Sequence, residues 1–310
     1  MKVTVLTGGV GGARFLRGVV DVLHPGDVTA VVNVGDDVEV LGLAVSPDVD
    51  SVVYALAGLA DEERGWGRAD ETWNALDSAA AFGGESWFRL GDRDVGLHLV
   101  RTEALRAGEP LSAVTARLAA AAGIETAVLP ATDDRLRTWI ETPSGTFSFQ
   151  EWFVARGHGD PVKRVRFDGS AHARPAPGVL DALLEADAIL IAPSNPFVSI
   201  GPILAVERIR RALERRRVTA IAVSPLIGGR AVKGPAADML RRLQGGTTPA
   251  HVGESYSGLI DALVFDEADA AGTDAVSALG VRPIVTHTLM RDGASRRRLA
   301  EAALDAVAVA

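Results

Sequence analysis

The chain has 310 residues, of which 47% are hydrophobic and 23% charged, a balance typical of globular proteins with a substantial buried core. It contains no cysteine, which excludes disulfide scaffolds, cysteine nucleophiles and thiolate metal sites. The formal net charge of −8 disfavours binding to nucleic acid, which attracts basic surfaces. The apolar run near the amino terminus is too short for a signal peptide, and no run approaches the ~18 residues of a membrane span. We therefore expect a cytoplasmic protein that binds neither membranes nor nucleic acid.

An alternation of strands and helices opens the chain. The apolar run from Val3 to Leu6 predicts a buried strand, and apolar residues between Leu16 and Leu23 recur at helical spacing. Val28 to Val32 predicts a second strand, and a further helix is predicted to start near Ser51. This pattern favours an α/β fold with a Rossmann-like, doubly wound and mainly parallel sheet.

Strand signals are few between about 61 and 123, where helical periods dominate, so we expect a largely helical inserted cap. We interpret 1–310 as a single α/β core domain interrupted by this cap, because strand patterns resume after it. A β-hairpin is predicted for Leu136–Thr142 and Thr146–Val154, and Pro161–Pro177 is predicted as loops or an edge strand. Later strands are predicted at Ile124–Leu129, Ala188–Ala192, Val218–Val223, Leu263–Phe265 and Pro283–Val285, with helices from Pro202, over Pro235–Leu243 and from Ala294 to about Val309.

A glycine-rich loop joins the first strand to the first helix, with the sequence TGGVGGAR from Thr7 to Arg14. Its glycines let the backbone approach a ligand, and the following helix N-terminus favours phosphate. The loop lacks the lysine of a Walker A motif, and Arg14 and Asn33 stand where a dinucleotide fingerprint has a small residue and an acid. The loop therefore indicates phosphate or nucleotide binding without NAD, although a tight packing turn remains the alternative.

Two groups of carboxylates follow the second strand. Asp36 and Asp37 lie directly after it, and Asp48 and Asp50 precede or begin the next helix. Magnesium takes one or two carboxylates together with water and phosphate oxygens, so Asp48 and Asp50 are candidate ligands from a loop and a helix start. The alternatives are a helix cap for Asp48 and turn positions for Asp36 and Asp37.

Two further segments contain polar or charged side chains that could bind a substrate. After Gly91-Asp92-Arg93, a helical spacing places Asp94, His98 and Arg101 on one face, either as a substrate-binding cluster or as a structural ion-pair cluster. The proline-bearing segment from Ala192 to Pro202 joins a strand to a helix, and Ser199 or the Gly201 N–H is placed to meet phosphate there. The prolines also fit a loop that only ends a strand.

Taken together, the motifs resemble one family. TGGVGGARFLRG, VVNVGDD, SPDVD, ERGWG, LGDRDVGLHLVRTE, LPATDD, FQEWFV, APSNPFVSIGPIL, AVSPLIGG and KGPA follow each other as in 2-phospho-L-lactate transferases and their actinobacterial phosphoenolpyruvyl counterparts, the CofD and FbiA proteins. The resemblance extends from Met1 to about Asp269. It implies a magnesium-dependent homodimer in which the hydroxyl of the deazaflavin Fo attacks a GDP-linked phospho-acid, GMP leaves, and a precursor of coenzyme F-420 forms.

The resemblance also implies roles for individual residues. It assigns magnesium binding and catalysis to Asp48 and Asp50, and it makes Asp50 the candidate general base. Nucleotide and phosphate binding falls to Gly8, Gly9, Gly11, Gly12, Arg14, Ser194, Asn195, Pro196, Ser199 and Gly201. The Fo pocket falls to Asp36, Trp66, Asp92, Arg93, Asp94, Arg101, Thr132 and Asp133.

Two other functions compete with this one. A regulatory protein of the YvcK type, which holds a nucleotide sugar without catalysis, shares the glycine loop, but the GDRD and FQEWFV segments favour the transferase. A nicotinamide or flavin oxidoreductase is disfavoured by the defects in the dinucleotide fingerprint. The GGVGG form of the loop, with Val10 where many archaeal relatives carry threonine, resembles actinobacterial members and favours phosphoenolpyruvate over phospholactate as the acid.

Overall fold

The computed structural model describes residues 1–308, so the predicted end of the last helix at Val309 lies outside the described residues. The strands in chain order are β1 (Val3–Thr7), β2 (Val28–Val32), β3 (Val38–Val40), β4 (Leu43–Val45), β5 (Ala127–Pro130), β6 (Arg137–Thr142), β7 (Gly145–Ser148), β8 (Arg164–Asp168), β9 (Ala188–Ile191), β10 (Thr219–Val223), β11 (Leu226–Ile227), β12 (Arg230–Ala231), β13 (Ala262–Asp266) and β14 (Arg282–Thr286). The helices are α1 (Gly9–Val20), α2 (Pro47–Ala57), α3 (Asn74–Ala81), α4 (Asp92–Arg106), α5 (Leu111–Ala121), α6 (Val179–Glu185), α7 (Gly201–Ala205), α8 (Glu207–Glu214), α9 (Ala236–Gln244), α10 (Pro249–Ser255), α11 (Thr273–Ser277) and α12 (Gly293–Ala308).

Seven of these strands form one parallel sheet in the order β14-β13-β10-β9-β1-β2-β5. Val5 in β1 lies opposite Ala30 in β2 on one side and Leu190 in β9 on the other. From β1 the chain passes to β2 on one side and later returns to β9 on the other, so the direction of winding changes between β1 and β9. In open α/β sheets, ligands bind in the crevice at the carboxyl ends of the strands beside such a point.

The central strands are buried on both faces, as expected for a parallel sheet covered by helices. Every residue of β1, β9 and β13 is buried, and α1 packs against both α2 and α12. The chain therefore has the predicted α/β fold with a doubly wound parallel sheet. None of the helices between residues 1 and 308 is long and apolar enough to cross a membrane.

The cap region is largely helical, as predicted, since α3, α4 and α5 lie within 61–123. A second predicted feature, the hairpin, is formed by β6 and β7, but β7 ends at Ser148 and a short π-helical turn over Glu151–Ala155 replaces the rest of the expected strand. β8 pairs with the other edge of β6, which makes Arg164–Asp168 the edge strand expected in that segment.

Several elements differ from the sequence-based prediction. The β3–β4 hairpin was not predicted; both residues of its turn, Leu41 and Gly42, have positive φ, and Leu-Gly is a weak signal for such a turn. α2 begins at Pro47 and not near Ser51, because proline is favoured at the first helical position and acids in the first turn. Asp48 and Asp50 are therefore both in the first turn of a helix. The short helices α10 and α11 were also missed.

Candidate active site

A cavity of about 760 Å³ opens at the carboxyl ends of β1, β9 and β10, between the sheet and the cap. The segments that directly follow these three strands all contribute to its wall, through Gly8, Ser194 and Ser224. The residues of the predicted site that line the cavity are Gly8, Gly9, Gly11, Arg14, Asp36, Asp48, Asp50, Trp66, Asp94, Ser194, Asn195 and Ser199.

The glycine loop packs too closely for side chains. A Cβ atom on Gly8 would lie 2.5 Å from Oδ2 of Asp48 and 3.0 Å from Cβ of Ser199. Gly9 has a φ of +68°, a conformation that strains residues with side chains. The first turn of α1 contains no acid, but the Gly9 N–H at its start donates to Asp48 of α2, which leaves the next N–H groups of the turn for an anion.

Ser194 ties the glycine loop to the loop after β9. Its hydroxyl donates to the carbonyl oxygen of Gly8 at 2.7 Å, and Ser194 Oγ in turn accepts from the Gly8 N–H at 3.4 Å. The side chain of Asn195 accepts from the N–H of Phe197 at 2.9 Å, which fixes the following π-helical turn over Pro196–Ile200. These two loops lie on either side of the point where the sheet changes direction, so they form one preorganised surface.

Asn33 links two buried carboxylates behind the glycine loop. Its amide nitrogen donates to Oδ1 of Asp36 at 2.8 Å and to Oδ2 of Asp48 at 2.9 Å. Its amide oxygen accepts from the N–H of Gly35 at 2.7 Å, which sets the orientation of the amide. Asn33, which stands where a dinucleotide fingerprint has an acid, therefore holds a carboxylate pair at the cavity wall.

Burial makes this pair costly to ionise. It raises the pKa of Asp48 to about 6, against the opposing hydrogen bonds from Asn33 and the Gly9 N–H. Burial, followed by the negative charges of Asp48 and Asp37, raises the pKa of Asp36 well above its ordinary value. A bound cation would relieve this cost, and carboxylate oxygens are the donors that Mg²⁺ prefers. Asp36 and Asp48 are therefore the candidate carboxylate ligands for such an ion.

Within residues 1–308 no three acidic or histidine side chains are grouped so that they could hold a metal ion. A Mg²⁺ at Asp36 and Asp48 would therefore complete its shell with water and ligand oxygens, as is usual for this ion beside phosphates.

Asp50 has a different partner. Arg101 of α4 binds both of its carboxylate oxygens, with one nitrogen 3.0 Å from Oδ2 and the second in contact with Oδ1. Burial lowers the pKa of His98 to about 4, so its ring is neutral near neutral pH, and Nδ1 lies 3.2 Å from the Arg101 guanidinium. Asp50 lines the cavity, but its charge is already neutralised, which disfavours it as a metal ligand.

Asp94 faces the cavity from the first turn of α4. Its Oδ1 accepts a hydrogen bond of 2.5 Å from the hydroxyl of Tyr54, and burial raises its pKa to about 6. The carboxylate of Glu71 accepts from the N–H groups of Arg93 and Asp94 at 2.8 and 2.9 Å, which fixes the start of this helix. Asp94 therefore presents a carboxylate of intermediate acidity to the cavity.

Of the other residues in the predicted Asp92–Arg101 group, His98 lines the cavity, whereas Asp92, Arg93 and Arg101 do not. The carboxylate of Asp92 accepts from the side chain of Thr72 and the N–H groups of Asn74 and Ala75, which holds the start of α3 and lowers the Asp92 pKa to about 2. Arg93 is exposed, and Arg101 lies behind Asp50 with no exposed surface. Their contacts are within the protein.

Thr132 and Asp133 also lie away from the cavity wall. The hydroxyl of Thr132 accepts from the N–H of Asp134 at 3.0 Å, and Thr132 is buried. The carboxylate of Asp133 accepts from the N–H and the hydroxyl of Ser112 at 2.7 Å each, which caps the start of α5. Both residues order a turn beside the cap, so the structure does not bring them to the predicted Fo pocket.

Three residues of the predicted phosphate-binding loops support the wall from behind. Gly12 has no room for a Cβ atom because the side chains of Ser194 and Thr7 cover it. A Cβ atom on Gly201 would lie 3.0 Å from the ring of Phe167, and Pro196 is buried. These positions are determined by packing.

Aromatic and cationic side chains form the rim of the cavity, and of these only Trp66 was predicted as a site residue. Trp66 is 41% exposed, its ring centroid lies 6.2 Å from that of Trp73, and the guanidinium of Arg64 lies 4.7 Å from the Trp66 centroid. Arg89 lies 4.4 Å from the centroid of Trp73. Lys233, from the opposite side of the cavity, also lines it. The contacts around Trp66 and Trp73 are local in the chain, whereas Lys233 reaches the cavity from a distant segment that no local pattern relates to them.

Comparisons with known proteins agree with this architecture. The family model described as 2-phospho-L-lactate transferase CofD matches residues 3–288. Relatives described as phosphoenolpyruvate transferase occur in Streptomyces griseus, at 42% identity over 98% of both chains, and in Streptomyces coelicolor, at 43% identity over 98% of this chain and 97% of the relative. A third, from Thermobifida fusca, is 43% identical over 98% of this chain and 97% of its own.

Solved structures give the fold alone. Protein BH3568 from Bacillus halodurans superposes with a TM-score of 0.66 at 19% identity, covering 98% of this chain and 99% of that one. A second structure, described as a member of the UPF0052 family from the same organism, gives a TM-score of 0.64 at 19% identity, with 98% of each chain covered. Because the family match spans nearly the whole chain and the relatives exceed 40% identity, this chain belongs to the 2-phospho-L-lactate transferase (CofD) family.

Proposed function

We propose that this chain transfers a phosphoenolpyruvyl group from its GDP-linked donor to the hydroxyl of the deazaflavin Fo, with release of GMP. The observation that carries the proposal is the single cavity in which the glycine loop at the start of α1 faces the buried carboxylates Asp36 and Asp48. The description of the relatives as phosphoenolpyruvate transferases favours this acid over 2-phospholactate.

The donor diphosphate would bind at the start of α1. Val10, Gly11 and Arg14 line the cavity there and Ser199 adds a hydroxyl, whereas the N–H groups of Gly8 and Gly9 already face Ser194 and Asp48. Arg14 has no carboxylate partner among residues 1–308, where its guanidinium meets only the carbonyl oxygen of Arg291, at 3.3 Å. An anion at this position would therefore gain a charge-assisted contact.

Asp36 and Asp48 would hold Mg²⁺ beside the diphosphate. This assignment keeps Asp48 as a predicted ligand and replaces Asp50, whose oxygens are bound by Arg101, with Asp36. When bound, the ion would neutralise charge on the diphosphate oxygens. Asn33 would keep the two carboxylates at a fixed spacing.

The transfer itself forms one bond and breaks one. The hydroxyl oxygen of Fo bonds to the phosphorus that carries the enolpyruvyl group, the bond from that phosphorus to the GMP oxygen breaks, and GMP leaves with the bonding electrons. The hydroxyl proton passes to Asp94, whose pKa of about 6 suits a proton acceptor near neutral pH. Tyr54 holds Asp94 through Oδ1 and leaves Oδ2 for the acceptor.

A turnover assay tests the proposal. Purified protein is mixed with Fo, Mg²⁺ and GDP that carries either an enolpyruvyl or a lactyl group on its β-phosphate, and the charged deazaflavin is followed by chromatography. We expect product with the phosphoenolpyruvyl donor and none when Mg²⁺ is chelated. Absence of product with both donors, together with tight binding of a nucleotide sugar, would favour a regulatory protein of the YvcK type instead. The homodimer that the resemblance implies would be checked on the same sample by sedimentation equilibrium.

A further inference from the structure

A compact loop covers one side of the cavity, and we call residues 60–69 the Trp66 loop. Its base is closed by an antiparallel bridge between Ala60 and Arg68 and by the hydrogen bond from the Ala69 N–H to the Leu59 carbonyl oxygen, at 2.8 Å. Loops of this kind, packed by their own side chains with their ends close together, are frequently functional. The inner side of the loop, including Trp66, lines the main cavity and a smaller one of about 180 Å³ behind it.

Besides the ring contacts that Trp66 and Arg64 make with Trp73, two polar contacts tether the loop to the rest of the protein. Glu62 forms an ion pair with Arg296 of α12. The ammonium group of Lys233, from the segment between β12 and α9, donates to the carbonyl oxygen of Arg64 at 3.3 Å. The second contact joins residues 169 apart in the chain, and Lys233 lines the cavity together with Gly65, the neighbour of Arg64.

Lys233 lies directly against the backbone of the loop. A Cβ atom on Gly65 would collide with the Lys233 ammonium, and Gly65 has a φ of +75°. Glycine is therefore required at position 65 for two reasons, the backbone conformation and the room taken by the ammonium group.

The charge of Lys233 is not neutralised by the protein. Lys2 pairs with Glu185 at 3.0 Å, whereas Lys233 forms no ion pair with any carboxylate of residues 1–308. One neutral carbonyl oxygen accepts from it, while an ammonium group has three donors. A hydrogen bond from this ammonium group to an anionic ligand would be stronger than its present bond to a neutral carbonyl oxygen.

We propose that Lys233 binds the diphosphate of the nucleotide donor and that it exchanges the Arg64 carbonyl oxygen for that diphosphate, so that donor binding releases the Trp66 loop. The inference rests on the proposed function, because it requires a nucleoside diphosphate in this cavity. The exchange replaces a neutral acceptor with a charged one, which supplies the difference in affinity that a ligand-driven change needs. Release of the loop would then open the rim for the second substrate while the donor is held.

The test uses Lys233→Met, which keeps the length of the side chain and removes its charge. GDP is titrated by calorimetry, and Trp66 is followed by fluorescence, with Trp66→Phe identifying its share of the signal. Lys163→Met is the matched control, because Lys163 is exposed and does not line the cavity. Lys233→Arg tests whether a cation alone restores binding.

We expect Lys233→Met to weaken GDP binding roughly 10- to 100-fold, the usual effect of losing a hydrogen bond to a charged group. Without ligand its Trp66 fluorescence should resemble that of the wild type with GDP, because the loop is already released. Lys163→Met should match the wild type, and Lys233→Arg should recover most of the affinity.

Unchanged or tighter GDP binding by folded Lys233→Met would overturn the inference and leave a role for Lys233 in holding the loop only. That result would leave the proposed function intact, since the wild type would still bind GDP. A wild type that binds no GDP would contradict the inference and the proposed function together.

Discussion

Arg101 binds both carboxylate oxygens of Asp50, and this almost fully buried pair joins α4 of the cap to the first turn of α2. Neutral His98 lies beside it and adds no second positive charge at neutral pH. The positions of α2 and α4 in the cavity wall therefore depend on this ion pair within the protein. A buried pair of this kind contributes specificity of position, and removal of one partner leaves an uncompensated charge.

Substitution of Arg101 tests this dependence. We expect Arg101→Met to lower the free energy of unfolding by about 3–5 kcal/mol, because the Asp50 carboxylate stays buried without a partner. Urea denaturation at pH 7.5 measures the loss. The double variant Arg101→Met with Asp50→Asn should recover part of it, and a loss below about 1 kcal/mol in the single variant would show that Asp50 is reached by water.

Gly8→Ala tests the close approach of the glycine loop to the carboxylate pair. The added Cβ atom would meet Oδ2 of Asp48 at 2.5 Å, so the loop must move, and we expect GDP affinity to fall at least about tenfold while the fold is kept. Gly96→Ala is the control, since nothing lies within 4 Å of its Cβ position in α4. There alanine should stabilise the helix by about 0.5–1 kcal/mol and leave GDP binding unchanged, as calorimetry and melting curves would record. Equal affinities in both variants would contradict the phosphate-binding role of the loop.

Asp94→Asn tests whether the raised pKa of Asp94 makes the stability of the protein depend on pH. The pKa of Asp94 is about 6 in the folded state, above its ordinary value, so the folded protein holds this proton more tightly than the unfolded chain. The wild type should therefore lose stability as the pH rises from about 4 to 6, and Asp94→Asn should not show this loss.

At pH 7.5 we expect Asp94→Asn to be more stable than the wild type by about 1–3 kcal/mol and nearly equal to it at pH 4. Turnover should fall by about 10²–10⁴-fold, the usual contribution of a general base. Asp92 contributes the opposite dependence, because its pKa is lowered to about 2. Its stabilising effect is present above about pH 4 and is lost as the pH falls to about 2, and Asp92→Asn should lack this change. Wild-type turnover in Asp94→Asn would assign proton transfer to another group.

Mg²⁺ should stabilise the wild type only in the presence of a nucleotide. With Asp36 and Asp48 as its protein ligands, the ion needs phosphate oxygens to complete its shell. We expect the melting temperature with GDP to rise on addition of Mg²⁺ and to fall back with a chelator. Asp48→Asn should abolish this increment. A full increment in Asp48→Asn would place the ion elsewhere.

The sequence predicted the parts of the site that depend on local patterns. Gly8 and Gly9 follow an apolar strand and begin a helix, and this order alone indicates an anion-binding turn. The chain positions of Asp48 and Asp94 were likewise visible as acids near helix starts. Their roles could be predicted only in outline, since Asp48 is held by Asn33 and Asp94 by Tyr54 across long sequence separations.

Contacts between distant segments escaped the prediction. The helical spacing allowed Arg101 either a substrate-binding or an ion-pair role, and the resemblance implied the Fo pocket. Its partner Asp50 lies 51 residues away in the chain, and Arg101 binds it from behind the cavity wall. Asp133 resembled a cavity residue in sequence, yet it caps α5 through Ser112. The contact between Lys233 and the Trp66 loop joins residues that no helical or strand period relates.

The rate of GMP release with and without Fo tests the central claim most directly. If the cavity transfers the enolpyruvyl-bearing phosphoryl group to Fo, GMP and charged deazaflavin should appear in equal amounts, only when Fo and Mg²⁺ are both present. Asp48→Asn should lose both products while Asp92→Asn keeps folding well enough to form them. Release of GMP without Fo at the same rate, or transfer that persists in Asp48→Asn, would contradict the account.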